Sequence, residues 1–320
     1  ATIRNALAAS LNFQISQQIF SSLKSFVTLV GGFNTDLNDL WLSDNWSGFF
    51  TELDVSGMDA NHSFYSALFF FKVAQKAGVH EEKLREFFGM AFPESGSYDA
   101  FMNGEFTRHV WRVTDKEGRF RAKTDFQLES GKFLTFLLNS VVAILFYLDC
   151  VPDDEISRIQ KIFVGGDDGA FKSECPLNLT GTSFATVRLE HVGRDIMCMH
   201  TGLVSPQGYA YVPQKLLAKM FTTVFPWEMR QAKKRASELV TSVEDLAKRF
   251  LATPEDRERA AAMATQYLCQ DGSIARKRAI FDFQKSCADY YVRFAGCSDT
   301  TVLGLTKVVE FRQRPIGERK

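Results

Sequence analysis

Three short segments hold the side chains best suited to chemistry. LDVSGMD places Asp54 and Asp59 on either side of a Ser-Gly break. SGKFLTFLLN places Thr135 and Asn139 four residues apart, on one face of any helix containing both, with Ser130 and Gly131 just before it. GGDDG frames Asp167 and Asp168 with Gly165, Gly166 and Gly169. Taken singly, each has an ordinary explanation: a strand-end cap, polar residues bonding their own helix backbone, a solvated acidic turn. Taken together they point further. Asp54 and Asp167 each end an apolar stretch of strand character, so strand pairing would bring their carboxylates together. Crowded carboxylates repel and shift one another's pKa, and a divalent cation relieves the repulsion. Hard oxygen donors suit Mg²⁺ or Mn²⁺, and two such ions roughly 3.5–4 Å apart can clamp the attacking and leaving oxygens of an in-line phosphoryl displacement.

The elements that must position these groups are legible in outline. Residues 1–47 read as helical, with apolar positions at Leu7, Leu11, Ile15, Phe20 and Leu23. FFTELDV alternates and reads as a strand ending near Val55. Helices are expected over 63–77, with Gly78 as a stop, and over 81–88. HVWRVTDKEGRFRAKTDF has the form of a hairpin, and the apolar run Phe133–Leu148 that of a buried helix. That run is short for a bilayer span and carries Thr135, Asn139 and Ser140, so no transmembrane segment is expected. Ile162–Val164 form a short strand before the Gly-Asp turn, with Ala170 and Phe171 beginning the return strand. IMCMHTGLVSPQGYAYV reads as one further hairpin, with SPQG as its turn, and Pro213 begins a helix through Met220. Beyond Pro226 the pattern is helical, with starts at Thr241 or Ser242 and at Thr253-Pro254.

Composition narrows the class. Charged residues make up 24% and apolar residues 45%, which are globular values and exclude a disordered tail. The six cysteines are scattered without a CxxC pair and the five histidines show no ligand spacing, so neither zinc nor a disulfide framework is expected and no histidine is assigned. The 30 phenylalanines fall mostly at strand and helix-face positions, which favours core packing over base stacking. No signal peptide is evident, and an opening ATIRNALAAS without Met reads as cut from a longer chain. Basic and acidic residues number 38 each, and a zero net charge at first argues against nucleic acid. The sum hides two unlike parts. Residues 1–212 hold 18 basic and 25 acidic side chains, whereas residues 213–320 hold 20 and 13.

DVSGMD, SGKFLTFLLN and GGDD, in that order, resemble motifs A, B and C of the palm of viral RNA-dependent RNA polymerases. Ser130 follows Asp54 by 76 positions and Asp167 follows Ser130 by 37, spacings that fit, and SGxxxTxxxN is matched at every fixed position. YAYVPQKLLAKM is similar to the hairpin-to-thumb stretch of the alphavirus-like superfamily, the tobamovirus-type replicases in particular. The resemblance covers roughly 18–225 and continues more weakly through the C-terminal helices. It implies an α+β fold: a right-hand palm, with an antiparallel sheet and helices on one face, followed by an all-helical thumb. It implies residual fingers and connecting helices over 1–48, palm over 49–212 with a fingers insertion at about 93–127, and thumb over 213–320.

The resemblance also implies roles. Asp54, Asp167 and Asp168 would be catalytic and hold two Mg²⁺ or Mn²⁺ ions. Asp59 would sense the ribose 2′-hydroxyl, helped by Ser130, Thr135 and Asn139, and Gly131 would supply a flexible turn. Lys215 and Lys219 would touch RNA phosphate or face solvent. Partners would be template and nascent RNA, NTPs and other replicase parts, in host cytoplasm at membrane-associated replication complexes. The sequence departs from the family pattern in four places. Gly169 stands where Ser or Asn is commoner, and ANHS where the tobamovirus-type pattern runs closer to KSQN. No Lys lies between Lys172 and Lys215 to act as a motif D general acid, with Arg188 or Arg194 as stand-ins. The basic motif F and most of the fingers are expected upstream of position 1. Two other classes compete: a non-catalytic palm serving as an RNA-binding or assembly module, and a reverse transcriptase, which Asp59 and the SGxxxTxxxN helix disfavour.

Overall fold

The computed structural model describes residues 2–23, 25–31, 36–92, 95–105, 109–113, 120–124, 133–182, 185–224, 229–270 and 272–297. In chain order the elements are α1 (Thr2–Leu23), β1 (Val27–Leu29), α2 (Leu37–Leu42), β2 (Phe49–Val55), a 3-10 turn (Met58–Ala60), α3 (Phe64–Lys76), α4 (Glu81–Ala91), α5 (Tyr98–Met102), β3 (His109–Val113), β4 (Phe120–Thr124), α6 (Phe133–Asp149), α7 (Asp153–Ile156), β5 (Ile159–Gly165), β6 (Asp168–Ser173) and β7 (Val187–Arg194). There follow β8 (Met197–Met199), β9 (Gly202–Ser205), β10 (Gly208–Tyr211), α8 (Pro213–Val224), α9 (Met229–Phe250), α10 (Pro254–Leu268) and α11 (Ile274–Ala295). The fold is mixed α+β. It divides into two compact units, one of residues 1–36 and 48–195, the other of 37–47 and 196–320.

The first unit is built on a five-stranded sheet, ordered β1-β5-β6-β2-β7. All neighbours are antiparallel except β1 and β5, which run parallel with Val27 opposite Ile162. Two expectations are corrected here. The sheet is not wholly antiparallel, and residues 1–47 are not one helical stretch. The β-branched Val27 and Thr28 leave the helix and take the sheet edge, because β5 offers them a ladder that their stiff side chains fit.

Alternation along the strands separates core from site. Leu53 and Val55 of β2, Ile162 and Val164 of β5, and Phe171 of β6 enter one apolar core with α1, α3, α4 and α6. Asp54 therefore points to the opposite face. Helix α3 shows why its residues are helical: Ser63 and Ser66 form a reciprocal capping box, and Ala67, Phe70, Phe71 and Ala74 share one buried face. Phe70 stacks on Phe87 with ring centroids 5.0 Å apart, and Phe88 lies 4.9 Å from Phe101. Each such buried ring contributes on the order of 1.5–3 kcal/mol, so these phenylalanines are core, as their positions suggest. Among the described residues, no helix is long and apolar enough to cross a membrane.

The second unit holds α2, the antiparallel sheet β10-β9-β8 and helices α8–α11. Segment 196–212 is thus three strands and not one hairpin. The second turn, His200-Thr201, has φ of 49° and 69°, a left-handed pair with no glycine or asparagine to signal it. Trp41 of α2 donates its indole N–H to Ser205 O at 3.1 Å and lies beside Tyr209. Thr253 caps α10 with a full capping box and Pro254 follows at the first helical position, as expected. Thr241 and Ser242 do not start a helix. They lie inside α9, where the Thr241 hydroxyl bonds back to Ser237 O at 3.1 Å. A favourable cap sequence yields when good helix formers continue on both sides.

Candidate functional site

The first half of the site is a strand junction. Asp54 of β2 is in register with Asp168 on β6 and with Arg188 on β7. Residues directly opposite in an antiparallel pair project to the same face, so one acid and one base flank Asp54 on the side away from the core. Strand β7, which patterning did not reveal, thus places Arg188 beside the acids; its Glu190 lies near enough to act on Asp54 too. Asp167 occupies the turn between β5 and β6 and is exposed. Gly166, at φ +70°, precedes it, and Asp167 itself has negative φ, the pattern of a type II′ hairpin turn. Only a residue without Cβ takes that first position without strain.

Helix α6 fixes this turn from beneath. Gly166 N–H donates to Ser140 Oγ at 2.8 Å, and that hydroxyl donates on to Phe136 O at 2.7 Å. Tyr147, fully buried, shares its one hydroxyl proton between Asp167 O and Leu53 O, the latter at 3.2 Å. Val55 N–H donates to the same Asp167 carbonyl at 3.3 Å. One phenol therefore ties the strand bearing Asp54 to the turn bearing Asp167. Its ring fills the space that a side chain at 169 would need: a Cβ on Gly169 would lie 2.2 Å from Tyr147 Cε2. The ring therefore requires glycine at 169.

Electrostatics couple the acids. Burial raises the pKa of Asp54, the Asp167, Asp168 and Glu190 charges raise it further, and Arg188 opposes them. The carboxylates do not converge as a ready-made cage: among the described residues, no group of three or more His, Cys, Asp or Glu is arranged to hold a metal ion.

The second half of the site is a hydrogen-bonded chain. Asp59, in the 3-10 turn just past β2, accepts from Asn139 Nδ2 at 2.8 Å. Asn139 Oδ1 lies 2.6 Å from His62 Nε2, and His62 Nδ1 lies 3.5 Å from Ser66 Oγ. Asn139 and His62 are both buried, and Thr135 is buried one turn earlier on α6. The chain sets the protonation of the ring. Asn139 spends its amino group on a carboxylate, so its oxygen must accept, and His62 Nε2 carries the proton. Burial lowers the His62 pKa below its ordinary 6.5, against the Asn139 bond and the Asp59 charge. His62 was unassigned because its spacing matches no ligand motif. The usable signal was its place three residues after Asp59, at the threshold of a capped helix.

Ser130 and Gly131 lie outside the described residues, as does the side chain of Lys219 in α8. Lys215 belongs to the second unit and holds its ammonium 5.8 Å from the ring centroid of Tyr267, a cation–π placement. No curated protein matches this chain. Residues 2–188 match the model of the RNA dependent RNA polymerase family, and since that is more than half of the sequence, the chain belongs to this family of enzymes that copy RNA from RNA in viral replication.

Proposed function

We propose that this chain is the palm and thumb of a tobamovirus-type replicase that performs two-metal nucleotidyl transfer during replication of a positive-strand genome. On this reading the palm spans 49–212 and the thumb 213–320, and the enzyme works in host cytoplasm with RNA, NTPs and other replicase parts. The observation that carries the site assignment is the register of Asp54 with Asp168, joined to the Asp167 turn through Tyr147. The donor set fits the ions: carboxylate oxygens only, on a face where burial and then mutual repulsion raise the pKa of Asp54.

Asp54, Asp167 and Asp168 would hold two Mg²⁺ or Mn²⁺ ions. When bound, such ions lower the pKa of the RNA 3′-hydroxyl and neutralise the departing pyrophosphate. The chain's own groups do the rest. The type II′ turn keeps side-chain bulk away from Gly166, so a phosphate can approach the backbone. Arg188, in register beside Asp54, offers a guanidinium to the triphosphate. Asp59, held by Asn139, accepts from the ribose 2′-hydroxyl; this favours ribonucleotides and disfavours a reverse transcriptase. In the transfer the 3′-oxygen bonds to the α-phosphorus, the bond to pyrophosphate breaks, and the hydroxyl proton passes to water. Positioning and electrostatics supply most of the rate.

The test is Mg²⁺-dependent incorporation of NTPs into a primed RNA template. Wild type extends the primer and Asp167→Asn does not. Extension that survives Asp167→Asn contradicts the assignment.

A further inference from the structure

We propose that His62 is a positioning residue for sugar discrimination: its imidazole fixes the Asn139 carboxamide, and through it the Asp59 carboxylate, in the orientation that reads a ribose 2′-hydroxyl. The inference deepens the polymerase reading and rests on it.

A carboxamide has two faces to satisfy and can turn end for end. Asn139 Nδ2 meets Asp59 Oδ1 at 2.8 Å, and Asn139 Oδ1 meets His62 Nε2 at 2.6 Å. Turned about, the amide would set its oxygen against the Asp59 carboxylate, a contact that repels whichever ring nitrogen carries the proton. With His62 in place only one orientation is bonded at both ends. Without it, Asn139 keeps one partner and a buried oxygen loses its donor, at a site only 6% exposed. The amide is then free to rotate off the Asp59 axis.

The ring is itself held. Ser63 N–H donates to Ser66 Oγ at 2.8 Å and Ser66 N–H donates to Ser63 Oγ at 3.3 Å, which anchors the hydroxyl beside His62 Nδ1. That hydroxyl donates to Ser63 O at 3.0 Å and lies 3.5 Å from His62 Nδ1, so the capping box that starts α3 borders the ring. Asp59 spends one oxygen on Asn139, and a carboxylate has further acceptor capacity for a hydroxyl. Loss of a fixed charge-assisted bond at this point weakens recognition of the group that distinguishes ribose from deoxyribose.

The measurement is the ratio of kcat/KM for an NTP over its 2′-deoxy counterpart, in the full chain on a primed RNA template. His62→Leu lowers the ratio about tenfold, the worth of one such bond. His62→Gln, whose amide nitrogen reaches where Nε2 stands, keeps it within about threefold of wild type. In an Asn139→Ala background, His62→Leu changes the ratio no further. If His62→Leu does not fold, His62→Asn replaces it: polar but too short to reach Asn139, it shows the same loss. An unmoved ratio in the assayed variant, an equal loss with Gln, or additivity with Asn139→Ala overturns the inference, provided that wild type extends the primer and Asp167→Asn does not. If those two controls fail, the polymerase reading fails and this inference falls with it.

Discussion

Two parts of one site, both held by α6, are built on opposite electrostatic principles. At the strand junction burial raises the pKa of Asp54, and the charges of Asp167, Asp168 and Glu190 raise it further. Beside it, Asp59, Asn139 and His62 alternate acceptor and donor through two short bonds, with Ser66 Oγ 3.5 Å from the far ring nitrogen. The first arrangement stores repulsion that an added cation would relieve. The second is satisfied within the protein and gains from staying rigid. On the proposed reading, the contrast is what a metal-dependent reaction beside a sugar-reading contact would require: charge left open for ions, geometry closed around a hydroxyl.

The comparison breaks most visibly at Asp54. If Asp54 holds a metal ion as proposed, Asp54→Asn lowers primer extension by about a thousandfold, several kcal/mol of transition-state stabilisation. Thermal unfolding in EDTA should show no loss of stability, since the substitution also removes repulsion. A carboxyl whose folded pKa is raised contributes stability at low pH that is lost as pH rises through the raised value, so at neutral pH the amide is the better occupant. A lowered Tm in EDTA would mean that Asp54 is a structural partner and not a strained ligand.

Next in size is Gly169→Ala. Its Cβ would enter the Tyr147 ring, and overpacking here destabilises the protein by about 1–3 kcal/mol in chemical denaturation. Tyr147→Phe keeps the ring and removes the hydroxyl that joins Leu53 O to Asp167 O, at a cost of roughly 1 kcal/mol. Primer extension by Tyr147→Phe should fall more than that small change in stability suggests, because the two aspartate-bearing segments lose their common tie. Extension equal to wild type would show that the backbone ladder alone holds them.

The smallest effect is at the closed half. His62 is a base whose folded pKa is lowered, so its contribution to stability is complete above the ordinary 6.5 and is lost as pH falls below that value. His62→Gln, which does not titrate, should flatten the fall in denaturation midpoint on acidification below 6.5. An unchanged slope would place the ring in water and contradict its burial.

The acidic segments and the elements that carry them were legible in the sequence, because alternation in FFTELDV and the capped run after Ser63 are local signals. The Gly-Asp turn was legible for the same reason, since Gly166 announces positive φ. What was not legible depends on partners distant in the chain. Arg188 reaches Asp54 only through β7, whose burial does not alternate cleanly, and β1 is a strand only because β5 offers it a ladder. Tyr147 looked like one more apolar residue of a buried helix until its hydroxyl met two carbonyls across the fold. His62 shows no local spacing because its partner is an amide 77 residues away. The His200-Thr201 turn uses residues that turn chemistry disfavours, so its strand pair was merged with the next.

The central claim is that the carboxylates around Asp54 form a divalent-cation site. Titrating Mn²⁺ into the protein and following the free-ion electron paramagnetic resonance signal tests it without reference to activity. Wild type should deplete the free signal, and Asp54→Asn combined with Asp167→Asn should leave it near that of buffer. Equal depletion by both proteins would contradict the account.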